Sequence, residues 1–277
     1  MWTSAFIIAA VKERLQPEAV FAVSATSMYL GAALAVTLFA ELPPVAVAWL
    51  RVLFAGLLLL PLSKLPRERL GLVAAFGIAL TCMNLSFYMA ISIIPMGSAV
   101  AIEFLGPIVV ALFAERTAKN LGAVVFVAAG VFLLAGARPA SQIDGVLWAM
   151  AAAACWGTYI ALGHRLADGG EGRKLIGPAM LFGALVTAPL CLPLSAPLTG
   201  NPRLLGACVA VGLLSSAIPY SLEQWVFARV SRDRFAILLG LLPAFASLLG
   251  LAVLGQWLEA EEWVGIALVG VAVALKR

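Results

Sequence analysis

Charge is what this sequence has least of. Of its 277 residues only 12% are Asp, Glu, Lys or Arg and 63% are hydrophobic, against about 25% charged and 45–50% apolar in a soluble domain. With a mean hydropathy of +1.05 there is too little polar surface for a water-facing exterior, which excludes a soluble globular domain and a disordered chain alike. Histidine is down to one residue, His164, whose place near the end of an apolar run makes it an interfacial residue. HExxH and GxSxG patterns are missing, and GGEGRK lacks the Ser or Thr that must follow GK in a phosphate-binding loop. These absences argue against an intramembrane enzyme and leave no cofactor fingerprint. Cys82, Cys155, Cys191 and Cys208 stand singly in apolar runs without a CxxC pair, so they are read as small apolar fillers, not disulfides or metal ligands. The alternating pattern of barrel strands is also missing, which leaves helices as the spanning structure.

What is present is a series of apolar runs of about the length a bilayer requires. Ten helices are expected: Glu18 to Ala40, Pro43 to Leu62, Leu70 to Ile91, Pro95 to Ala114 and Asn120 to Ala135, then Gly145 to Leu166, Leu175 to Leu194, Arg203 to Ala228, Arg232 to Leu254 and Glu262 to Leu275. The fifth and tenth are short for a span. The chain before residue 18 reads as a cytoplasmic segment, with FIIAAV and the following Lys12 and Arg14 forming an interfacial helix, not a cleavable signal peptide.

The few charges test this count. Cytoplasmic loops collect Lys and Arg. Alternate segments hold Lys12, Arg14, Lys64, Arg67, Arg69, Arg116, Lys119, Arg165, Arg173, Lys174, Arg229, Arg232, Arg234, Lys276 and Arg277, fifteen in all, whereas the opposite segments hold Arg138 and Arg203. That asymmetry places both termini in the cytoplasm of a multi-pass inner-membrane protein. The net charge of +4 therefore reflects topology and no nucleic-acid partner.

Ten spans divide into residues 18–136 and 145–277, and five spans per half force the second half to run upside down, the basis of many alternating-access transporters. Asn84–Pro107 and Tyr220–Pro243 align without gaps as a helix end, a turn and a proline-broken helix. Small-residue runs such as Ala149 to Ala154 permit close helix packing, within one chain or across a homodimer.

Polar groups at membrane depth cost about 2.5–3.5 kcal/mol when charged, so each needs a partner, a wet cavity or a function. Arg51 and Glu103 lie at similar depth, and an ion pair between them is geometrically possible. Ser216, Tyr220 and Glu223 recur at four and three residues beside Pro219, one polar face next to a kink. Asn84 and Tyr88 sit one turn apart at the depth of Glu103, and Tyr29, Trp156 and Tyr159, with Thr26 and Thr158 nearby, supply rings with polar tips near mid-membrane. The candidate substrate-binding set is thus Tyr29, Arg51, Asn84, Tyr88, Trp156, Tyr159, Ser216 and Tyr220. Glu103 and Glu223 are the candidate proton-coupling groups, because burial and a nearby cation act oppositely on a carboxyl and can poise it near neutrality. Glu103 aligns with Leu239 and Glu223 with Phe87, so the carboxylates are not repeat equivalents. An inward-facing state is expected to bind substrate near Glu223 and an outward-facing one to expose Glu103.

The stretches WLRVLFAGLLLL, MNLSFYMAISIIPMGSAVAIEFLGPIVVALF, AAAACWGTYIALGHRLA and SSAIPYSLEQWVFARVSRDRFAILLGLLPAFASLLGLAVLGQ resemble the threonine/homoserine exporter family of the EamA-type drug/metabolite transporter superfamily. The resemblance implies a ten-helix inverted-repeat fold and export of small amino acids or related metabolites from the bacterial cytoplasm by proton antiport, with Arg51, Glu103, Tyr220 and Glu223 at motif positions. Export of aromatic amino acids, nucleobases or drugs is an alternative within it, and a channel or lipid-linked carrier one outside it. The sequence departs from the family pattern at Leu242, where many members have Glu before the proline, and at Gln256, where many have the Glu of LGE.

Overall fold

The computed structural model describes residues 16–62, 69–114, 117–136, 140–167 and 175–275. The expected interfacial segment before residue 16, most of the basic loop residues and the His164 side chain lie outside the described residues.

All regular structure among the described residues is helical: α1 (Pro17–Leu38), α2 (Pro44–Leu59), α3 (Leu70–Ile91), α4 (Met96–Glu103), α5 (Leu105–Ala114), α6 (Ala118–Gly136), α7 (Ile143–Ala167), α8 (Ile176–Cys191), α9 (Pro202–Gly212), α10 (Ile218–Phe227), α11 (Arg232–Gly240), α12 (Leu242–Leu254) and α13 (Ala260–Leu275), with short 3₁₀ and π turns between some of them. Six stretches are long and apolar enough to cross a bilayer: Pro17–Leu38, Leu70–Ile91, Met96–Phe113, Ile143–Gly163, Pro202–Phe227 and Ile237–Leu254. Three of them contain internal breaks, which the apolar pattern alone did not position.

Local chemistry sets the helix ends. Prolines open α1, α2 and α9, where a missing N–H costs nothing. The Asn201 side chain accepts from the Leu204 N–H and Ser231 from the Arg234 N–H, capping α9 and α11. Gly255, at φ 65°, ends α12 in a left-handed turn in which the Gln256 N–H reaches back to the Gly250 carbonyl.

Side-chain volume is nearly absent where helices cross. A Cβ on Gly77 of α3 would lie 1.9 Å from the Ala179 carbonyl oxygen of α8, and one on Gly183 of α8 would lie 2.3 Å from the Gly77 oxygen. Likewise Gly106 of α5 meets the Ala153 oxygen of α7 at 2.0 Å and Gly97 of α4 meets Ser247 Oγ of α12 at 2.0 Å. In lipid such backbone approach replaces the hydrophobic drive that holds soluble helices together. Large apolar side chains including Phe113, Phe132 and Leu190 point outward, as a lipid-facing surface requires.

Gln256 has a role its departure from the family pattern concealed: its Oε1 accepts the Met96 N–H at 3.0 Å, in the first turn of α4. Beside it, Ser98 donates to the buried Glu262 carboxylate at 2.8 Å. Gln256→Ala is expected to lower stability by about 1 kcal/mol. Gln256→Glu should keep it, since a carboxylate also accepts and favours a helix N-terminus. Unfolding midpoints of the two variants in detergent check both.

Candidate functional site

Three prolines shape the interior. Pro107 has no N–H to give the Glu103 carbonyl four residues back, and α4 stops at Glu103, turns at Phe104 and restarts as α5. Pro243 stands in the same relation to Leu239, and α11 gives way to α12 after a turn at Leu241. Pro219 follows a π turn, Leu213–Ala217, in which the Ile218 N–H reaches the Leu213 carbonyl. The next two carbonyls, of Leu214 and Ser215, would need a donor at position 219, and proline has none. Other helices supply it. Ser27 Oγ of α1 donates to the Leu214 carbonyl at 2.8 Å, and Arg51 Nη2 of α2 donates to the Ser215 carbonyl at 2.7 Å. Arg51 Nε also donates to Ser216 Oγ at 2.8 Å.

These breaks surround a cavity of about 490 Å³. Eight of the ten residues singled out in the sequence line it: Tyr29, Arg51, Asn84, Glu103, Trp156, Tyr159, Tyr220 and Glu223. Glu103 makes no hydrogen bond or ion pair among the described residues, although it is 92% buried, being 8% exposed. Glu223 accepts from Ser24 Oγ at 3.4 Å. Asn84 is anchored by donating to the Leu80 carbonyl at 2.8 Å. Edge-to-face contact of Phe104 with Trp156, centroids 5.0 Å apart, and a tilted stack of Phe76 on Tyr159 at 4.5 Å brace the aromatic wall.

Three sequence readings come out differently. Arg51 and Glu103 share the cavity without an ion pair at bonding distance; Arg51 Nε and Nη2 donate instead to Ser216 and Ser215. Both carboxylates line the same cavity. Tyr88 and Ser216 are fully buried away from the cavity lining. The Tyr88 ring lies 5.2 Å below the Arg51 guanidinium carbon, and its hydroxyl has no partner among the described residues, while Ser216 holds Arg51 from the side. Thr26 and Thr158 are exposed on outer helix faces, Thr158 bonding back to the Ala154 carbonyl.

Sequence reasoning missed Ser24, Ser27 and Ser215, whose roles follow from the carbonyls freed before Pro219, and the lining side chains Met28, Met83 and Gln224. It also missed the rim. The lining runs out to Phe227, the half-exposed last residue of α10, and to Phe235 in the first turn of α11, whereas Leu42, Val47, Ile91, Ile94 and Met96 pack solidly at the opposite helix ends.

A cavity built from inward carboxylates and helix breaks inside an apolar bundle matches known sequences over most of its length. Across 256 residues, 87% of this chain and 84% of the relative, it is 35% identical to the threonine/homoserine exporter RhtA of Escherichia coli K12, and equally to that of Salmonella typhimurium. The EamA-like transporter family profile matches residues 143–276. The chain belongs to the EamA-like transporter family. Its similarity extends to the uncharacterized transporter YwfM of Bacillus subtilis, 26% identical over 242 residues and 81% of each chain. A solved crystal structure with 19% identity shares the fold at a TM-score of 0.59, over 93% of this chain and 95% of that one. This EamA-like protein is a multi-pass membrane transporter and not an enzyme. Leu242, the residue before Pro243, is among the side chains that line its cavity.

Proposed function

We propose that this EamA-like transporter exports a small amino acid of the threonine or homoserine kind, or a related zwitterion, across the bacterial inner membrane by proton antiport. The observation that carries this reading is the single cavity in which two carboxylates, Glu103 and Glu223, share space with a fixed guanidinium. A zwitterion complements it: the carboxylate turns toward Arg51, the ammonium toward Glu103 or Glu223, and Tyr29, Asn84, Trp156, Tyr159 and Tyr220 form the wall. The volume suits a small solute, and a carboxylate with no bonded partner is free to exchange a proton with the substrate's ammonium.

Alternating access rests on ten spans in two inverted halves, 18–136 and 145–277. What supports it is the pairing of contacts: α1 packs on α10 as α7 packs on α3, α2 on α9 as α8 on α3, and α1 on α12 as α7 on α5. Phe87 and Leu239, the repeat partners of Glu223 and Glu103, line the same cavity. The rim at Phe227 and Phe235 flanks Arg229 and Arg234, which the loop charges assign to the cytoplasm together with both termini. The cavity is then the inward-facing state.

Everted membrane vesicles with an imposed pH gradient, acid inside, test the reading. Labelled L-threonine or L-homoserine is expected to accumulate saturably and to leave when the gradient is collapsed. Absence of gradient-dependent uptake of both overturns it. The apolar share of the wall, Met28, Met83, Phe87 and Phe104, favours a second reading, export of a larger amphiphile, which displacement of homoserine uptake by aromatic amino acids would reveal.

A further inference from the structure

We propose that Arg51 is a positioning residue that stands in for the backbone donor missing at Pro219, and that through the π turn it sets the aim of Tyr220 and Glu223 into the cavity. The arrangement is specific. A π turn needs each carbonyl to meet an N–H five residues on, and an ordinary helix four residues on. Proline at 219 leaves Leu214 unmet on the first count and Ser215 on the second. Ser215 is buried and Leu214 half-buried in an apolar bundle, where a carbonyl without a donor is costly. Ser27 takes the first at 2.8 Å and Arg51 the second at 2.7 Å.

Arg51 then fixes the next side chain by donating to Ser216 Oγ at 2.8 Å, so two nitrogens of one planar group grip consecutive residues. Tyr88 supports that plane from below. Two further contacts show how tightly the turn is held: a Cβ on Gly31 of α1 would lie 2.7 Å from the Ser215 nitrogen, and one on Gly212 would lie 3.1 Å from the Arg51 carbonyl oxygen. Tyr220 and Glu223 lie one and four residues beyond Pro219, so any rotation of the turn swings both. The inference concerns the same cavity as the export reading, and only its transport arm depends on that reading.

Restoring the missing donor provides the test. Pro219→Ala gives position 219 an N–H and so offers Leu214 or Ser215 a backbone partner. Arg51→Gln, Pro219→Ala and the double variant are compared as a cycle in the full-length protein. Two quantities are read, the thermal unfolding midpoint in detergent and the KM and maximal rate of labelled L-homoserine uptake in everted vesicles. In the native background Arg51→Gln is expected to lower the midpoint and raise KM about tenfold, the scale of one charge-assisted hydrogen bond. With Pro219→Ala both effects should shrink at least about threefold. A merely structural Arg51 would reduce the amount of active protein, hence the maximal rate, without moving KM. Additive effects on the midpoint overturn the proposal, as does a KM effect of Arg51→Gln that is as large in the Pro219→Ala background as in the native one. Non-additive midpoints with no homoserine uptake by the native protein would leave the inference standing and remove the export reading.

Discussion

Glu103→Gln and Glu223→Gln are each expected to abolish uptake of homoserine driven by a pH gradient, with initial rates falling by well over the about tenfold that one lost charge-assisted hydrogen bond explains. The amide keeps the size of the carboxyl group and its capacity to accept a hydrogen bond, but it cannot carry a proton through the cycle. The two positions differ in their surroundings. Glu223 is held by Ser24, while Glu103 has no bonded neighbour among the described residues. Exchange of labelled for unlabelled homoserine, with no net movement of protons, separates their roles. The variant that still exchanges has lost only coupling, and the one that does not has lost a substrate contact. Full driven transport by both variants would remove the carboxylates from the coupling mechanism.

The second large effect concerns assembly. Gly77→Val is expected to eliminate the folded protein. Even a first carbon at this position would sit 1.9 Å from the Ala179 oxygen and 2.7 Å from its carbonyl carbon. Those atoms are backbone, which cannot rotate out of the way as a side chain would. Overpacking a core with flexible neighbours already costs about 1–3 kcal/mol, and here α3 and α8 would have to separate along a crossing that also holds Gly183. Gly122→Val on α6 is the control, because nothing lies within 4 Å of its added carbon. Size-exclusion profiles of the detergent-solubilised variants decide it: a monodisperse peak for Gly77→Val would contradict the packing described.

How far the site was readable follows from the price of charge in lipid. Glu103, Glu223 and Arg51 are conspicuous in an apolar run whatever the tertiary structure, and all three reach the cavity. Ser216 was misplaced for a definite reason. Its spacing to Tyr220 and Glu223 puts the three on one face only if the helix is regular, and the wider π turn at Leu213–Ala217 rotates Ser216 away toward Arg51. Asn84 and Tyr88 share a face of a regular helix, but the cavity ends between them, and Tyr88 rises into the sealed region near Phe39. Ser24 and Ser27 were illegible because a serine in an apolar helix has significance only once the acceptor opposite is known. That acceptor depends on which helix packs against Pro219, a fact of topology. The helices themselves were legible to within a few residues, and the proline-broken helices of the two aligned segments open at Phe104 and Leu241, ahead of Pro107 and Pro243.

Ser27, Arg51 and Pro219 lie on three helices, far apart in the chain, yet they answer one another across a single turn. A lineage that exchanged the proline for another residue would release the arginine and the serine from that duty, and one that lost the arginine would gain by losing the proline as well. If the three work as one device, substitutions at these positions are expected to occur together among related transporters.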